Sequence, residues 1–97
     1  MIIVEQGPDR SSTSQSIFDA AMADKDDFTG GIAIEGTSYL ALFTITPLEE
    51  EDQYSVTDFL IDGEDGILLA VDDEMSDVYN KDDTLSMISH RLGLIED

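Results

Sequence analysis

A chain of 97 residues is long enough for one domain with a modest core, and its 41% apolar content is too high for a disordered acidic tail. Its 23 Asp and Glu face only four Lys and Arg, for a formal net charge of -19, which argues against binding DNA, RNA or an anionic membrane surface, since all three would repel it. The absence of cysteine excludes a disulfide framework, a thiolate zinc site and a cysteine nucleophile.

In chain order, Ile2 to Glu5 reads as a short strand stopped by the turn residues Gly7, Pro8 and Asp9. Ser11, Ser12, Thr13 and Ser14 offer helix N-caps, and the apolar spacing of Ile17, Phe18, Ala20, Ala21 and Met22 predicts a helix from about Gln15 to Ala23. Gly30 and Gly31 open a strand in which Ile32 and Ile34 alternate, and Glu35 to Ser38 reads as a hairpin turn. Tyr39 to Thr46 is apolar on both faces, as a central strand should be, and Pro47 ends it. After the loop Glu49 to Asp52, Tyr54 to Ile61 is a further strand. A second turn over Asp62 to Gly66 leads into Ile67 to Val71, whose unbroken apolar run predicts a buried strand. The clearest helix is the last, with Asp82 or Asp83 as cap, Leu85, Ile88 and Leu92 at spacings of three and four, and Gly93 as terminator. His90 and Arg91 then fall in its last turn, where positive charge suits the helix dipole. The expected fold is α+β: a small, mainly antiparallel sheet of three to five strands, with two helices on one face, in a single domain.

The acid is unevenly spread. Residues 1–47 hold seven acidic and two basic residues, whereas residues 48–97 hold 16 and two. The excess forms four groups: Glu49, Glu50, Glu51 and Asp52; Asp62, Glu64 and Asp65; Asp72, Asp73, Glu74 and Asp77; Asp82 and Asp83. Carboxylates on a rigid scaffold meet Lys and Arg through charge-assisted hydrogen bonds. These residues are therefore the candidate contacts for a basic partner, with Tyr79, flanked by Asp77 and Asp82, as an aromatic anchor. Tyr54 reads as core. An acidic run is more often a plain solvated face, but an ordinary soluble domain intersperses both signs, and this one is short of cations throughout.

Other chemistry is poorly supported. An EF-hand frame begun at Asp24 places Asp26 third and Glu35 twelfth, but Phe28 falls at the fifth position and Thr29 where the turn glycine belongs. Begun at Asp62, the frame puts Glu64 third, Gly66 fifth and Asp73 twelfth, and neither loop has flanking helices. The single histidine, His90, has no triad context, and no phosphate loop or dinucleotide fingerprint occurs. The expectation is thus no catalytic activity, no metal and no cofactor. Met1 to Glu5 lacks the basic start of a signal peptide and no apolar run approaches the roughly 20 residues of a membrane span, so cytoplasmic residence is expected.

In charge and length the chain resembles DNA-mimic proteins, the small acidic inhibitors with which phages and mobile elements block host restriction, CRISPR or repair enzymes. That resemblance implies a non-enzymatic inhibitor, often dimeric, seated in a positively charged DNA or guide-RNA channel of a basic nucleic-acid-binding protein in the host cytoplasm. These proteins share no motif, so it assigns no residue a role. Two other readings stand beside it. Asp outnumbers Glu 15 to 8, as in proteins of salt-loaded cytoplasm, in which case the charge reports the solvent. A dedicated immunity or antitoxin-like partner of one basic protein is the other.

Overall fold

Seven elements follow one another in the computed structural model, which describes residues 1–73 and 78–96, with side chains through 69 and over 78–94. They are β1 (Ile2–Val4), α1 (Arg10–Ala23), β2 (Thr29–Ala33), β3 (Tyr39–Pro47), β4 (Tyr54–Asp62), β5 (Leu68–Asp73) and α2 (Lys81–Glu96). The sheet has the order β1-β2-β3-β4-β5, with β1 parallel to β2 across the α1 crossover and every other pair antiparallel. The expected α+β architecture is the one observed. Glu74 and Asp77 lie outside the described residues, and Asp72 and Asp73 are placed by their backbone alone, as register partners of Asp58 and Thr57.

Strand alternation sends Ala41, Phe43 and Ile45 of β3 and Val56 of β4 to one face, where they pack with Ile17, Phe18 and Ala21 of α1 and Ile88 and Leu92 of α2 in a single core. Both helices therefore cover the same face. Fully burying a side chain such as Phe43, Ile17 or Ile88 contributes roughly 1.5–3 kcal/mol. β3 is central, as its two apolar faces implied, and Gly36 supplies the left-handed residue (φ +81°) of the β2–β3 turn.

The helix starts differ from expectation. α1 begins five residues early because Asp9 outcompetes the serines as cap: its carboxylate accepts the Ser12 N–H at 2.7 Å. The hydroxyls of Thr13 and Ser14 instead bond back along the helix, to the carbonyls of Asp9 and Arg10. The Ser12 backbone bond holds the Asp9 carboxyl below its ordinary pKa, with the Ser12 hydroxyl adding to the effect. A lowered carboxyl stabilises the fold above its unfolded pKa and loses that contribution as the pH falls through the folded value. Asp9→Asn keeps a capping oxygen and removes the titration. Its melting temperature should therefore drop less between about pH 5.5 and pH 2.5 than that of the wild type. Equal drops in the two thermal melts would refute this.

In α2 the cap is Asn80, not Asp82 or Asp83. Its side-chain oxygen accepts the Asp83 N–H at 2.8 Å, and its carbonyl starts the helix with Thr84. Asp82 and Asp83 stand in the first turn, where negative charge suits the dipole. Removing the cap with Asn80→Ala should cost about 1 kcal/mol, read as a lower urea midpoint at unchanged slope. Gly93 does not end the helix, which continues to Glu96; a Cβ there would come within 2.9 Å of the Arg10 guanidinium. The glycine makes room for a neighbour's side chain. His90 and Arg91 thus lie more than a turn before the end, and Arg91 Nε faces the Asp58 carboxylate at 3.6 Å.

The start of β5 is also unlike its reading. Ile67, Leu68 and Leu69 are 58%, 53% and 45% exposed, because β5 is the outermost strand and they lie at its start, beside the β4–β5 turn.

Candidate partner-binding surface

The chain runs back and forth along one axis, so its connections fall at two poles. The α1–β2 loop, the β3–β4 loop and the start of α2 share one pole, since Ile45 N–H donates to Phe28 O at 2.8 Å and Lys81 N–H donates to an Asp52 carboxylate oxygen at 2.9 Å. The start of α1 and the β2–β3 and β4–β5 turns share the other, where Gly63 N–H donates to Ser38 O at 2.7 Å. Nine-residue β3 separates the two poles by roughly 27 Å at about 3.3 Å per residue. That is several Debye lengths at physiological salt, so each pole acts on a partner independently.

The first pole gathers Glu49, Glu50, Glu51 and Asp52 with Asp82 and Asp83, all exposed. Asp52 adopts a left-handed conformation (φ 59°), which aspartate tolerates, and this turns its carboxylate onto the first N–H of α2. Tyr79 closes the same corner: Tyr54 and Tyr79 exchange backbone hydrogen bonds at 2.8 and 3.0 Å. The Tyr54 ring meets Phe18 edge-on at 5.2 Å, and the Lys81 ammonium stands 5.4 Å from the Phe18 centroid. Tyr54 and Tyr79 are both half-buried against the core.

The exposed Asp26 and Asp27 also stand at this pole and were not among the contacts expected from the sequence, where Asp26 figured as a calcium-ligand candidate. The β1–α1–β2 crossover is what carries their loop beside Glu49 to Asp52, and a linear charge count does not show that. Beside them the Met1 amino group ion-pairs with Asp24 at 2.5 Å. This contact raises the amine's pKa and lowers that of Asp24.

The opposite pole holds Asp62, Glu64 and Asp65, so the structure does not bring this group to the others. Its carboxylates are mostly spent on backbone and turn bonds. Asp62 accepts the Ser38 hydroxyl at 2.8 Å and the Glu64 N–H at 3.0 Å, and Asp65 accepts the Ile67 N–H at 2.9 Å. At the first pole, by contrast, Asp26, Glu49, Glu51, Asp82 and Asp83 accept no hydrogen bond among the described residues and remain available to cations outside the chain.

Among the described residues no group of three or more acidic or histidine side chains is arranged to hold a metal ion, and no helix is long and apolar enough to cross a membrane. A cavity of about 490 Å³ beside β2 is lined by Gln6, Ile32, Ala33, Ile34, Thr37 and Leu92, with Glu35 its one ionisable side chain. No protein-family model matches the chain, and neither a curated protein nor a solved structure does.

Proposed function

We propose that this chain is a non-enzymatic inhibitor that places carboxylates where a basic nucleic-acid-binding protein of restriction, CRISPR or repair type normally holds phosphates. The supporting observation is the first pole, where three connections from distant parts of the chain bring exposed carboxylates together, most of which accept no hydrogen bond among the described residues. Each is held on a rigid element or a tight loop, so little ordering entropy opposes contact with a partner's Lys and Arg. The field of such a pole also speeds encounter, by roughly 10- to 10³-fold at low salt. The chemistry is binding alone; no bond is made or broken. Its place of action on this reading is the cytoplasm of the cell that makes the partner.

The test is affinity capture from host lysate at low salt, with elution by a salt step and duplex DNA added to a parallel sample. Recovery of a nucleic-acid-binding protein that elutes below about 0.5 M salt and is displaced by the duplex supports mimicry. A single partner that DNA does not displace would replace it with a dedicated immunity-type interaction. No partner, together with a chain that unfolds in dilute buffer, would leave adaptation to a salt-rich cytoplasm.

A further inference from the structure

The backbone of β4 reveals which groups of β5 are already spent. Tyr54 exchanges hydrogen bonds with Tyr79 through both its N–H and its C=O, and Asp62 N–H donates to Ile67 O at 2.9 Å. Register with β3 is unbroken from Tyr54 to Asp62, so the even-numbered residues of β4 all turn their backbone groups toward β5. Asp58 and Leu60 are among them, and they face Asp72 and Ala70. Val71 and Asp73 alternate with these two and direct their N–H and C=O groups outward, where no strand pairs with them among the described residues. At the start of the same edge Ile67, Leu68 and Leu69 are large, apolar and exposed. Folded proteins guard such edges with bulges, lysine, proline or a covering element. Here the register shift at Leu60 and Ile61 disturbs only the first part of β5, and pairing is regular over residues 70–73. From Asp62 to Asp77 the sequence has seven Asp and Glu and no Lys, Arg or Pro.

We propose that the outer edge of β5 accepts an extended segment of another protein as a sixth strand, apolar in its middle and carrying Lys or Arg at both ends. The outward N–H and C=O groups supply main-chain bonds to any extended chain, and charge selects which one. Acidic residues bracket the strand: Asp62, Glu64 and Asp65 precede it, and Asp72 and Asp73 close it. A segment with cations at both ends is therefore attracted at both, while its apolar middle covers Leu68 and Leu69. A second copy of the chain is a poor occupant, because it brings the same acid to the same edge. The site uses main-chain pairing along β5 and none of the carboxylates of the first pole, so it stands or fails independently of the proposed function.

The probe is a synthetic peptide of alternating valine and threonine with a pair of lysines at each end, titrated into the full chain at about 0.1 M salt and followed by NMR. Amide hydrogen exchange at Val71 and Asp73, fast in the free chain, should slow roughly tenfold or more at saturation, whereas Ala70 and Asp72, already bonded to β4, should change little. The same peptide N-methylated at every central residue keeps its charge and loses its main-chain donors, and it should bind at least tenfold more weakly. Glutamates in place of the lysines should abolish binding. Val71→Pro removes an outward N–H and no bond to β4, so peptide affinity should fall at least tenfold in a chain whose circular dichroism melt stays cooperative. The N-methylated peptide carries the test if Val71→Pro fails to fold. Absence of binding at about 1 mM of the lysine peptide overturns the proposal. So does a peptide that binds without slowing Val71 and Asp73, or that binds as tightly when N-methylated, since charge alone would then hold it.

Discussion

Replacing Gly30 with alanine should cost about 3 kcal/mol or more, a large share of the roughly 5–15 kcal/mol typical of a domain's stability. A Cβ at this position would lie 2.5 Å from the Ile17 carbonyl oxygen and 3.0 Å from the Ala21 nitrogen. Both are backbone atoms of α1, so no rotamer change relieves the overlap, and the helix would have to lift off β2. Two core side chains, Ile17 and Ala21, sit on the turn that would move. Gly36→Ala is the matched comparison. There a Cβ meets nothing within 4 Å, but φ is +81°, and the expected cost is only about 1 kcal/mol. Urea titration of both variants separates the two mechanisms, and equal losses would mean that α1 approaches β2 less closely than described.

The second large effect concerns placement of charge rather than its amount. Glu49→Gln, Glu50→Gln, Glu51→Gln and Asp26→Asn together remove four charges from the first pole and keep one acceptor oxygen on each side chain. Partner affinity at low salt should fall at least tenfold, while the melting temperature stays level or rises as like-charge repulsion is relieved. A second variant, with Glu5→Gln, Glu35→Gln, Glu64→Gln and Asp65→Asn, has the same net charge but is altered at the opposite pole. Its affinity should change much less. Equal losses in titrations of the captured partner would show that net charge, not the pole, does the binding.

How much of this was legible in the sequence follows from which forces are local. The Glu35–Ser38 hairpin, the stop at Pro47 and the central position of β3 were readable because turn chemistry and two-sided apolarity act within a few residues. The helix starts were not, because several capping residues competed. Asp9 prevailed over four hydroxyl residues, and Asn80 over two aspartates, by geometry that only the folded loop supplies. Ile67, Leu68 and Leu69 misled because an apolar stretch reports the wish to be covered, not the cover. Gly93 carries the sign of a helix end but serves a contact with Arg10 that lies 83 positions away. For the candidate surface, the clusters were visible as runs of letters. Which of them meet depended on the parity of the crossings, and the parallel β1–β2 crossover was outside what periodicity records.

The few cations have a practical bearing on any binding assay. Lys25, Lys81 and the Met1 amino group all stand at the first pole, and the sequence has no other lysine. Amine-reactive dyes and carboxymethyl sensor chips would therefore attach to the molecule at the surface it is proposed to present, and a negative result from such an assay would carry no weight. Because the chain has no native thiol, a cysteine introduced as Glu64→Cys offers a single handle at the far pole. Bait tethered there stands with its acidic corner outward.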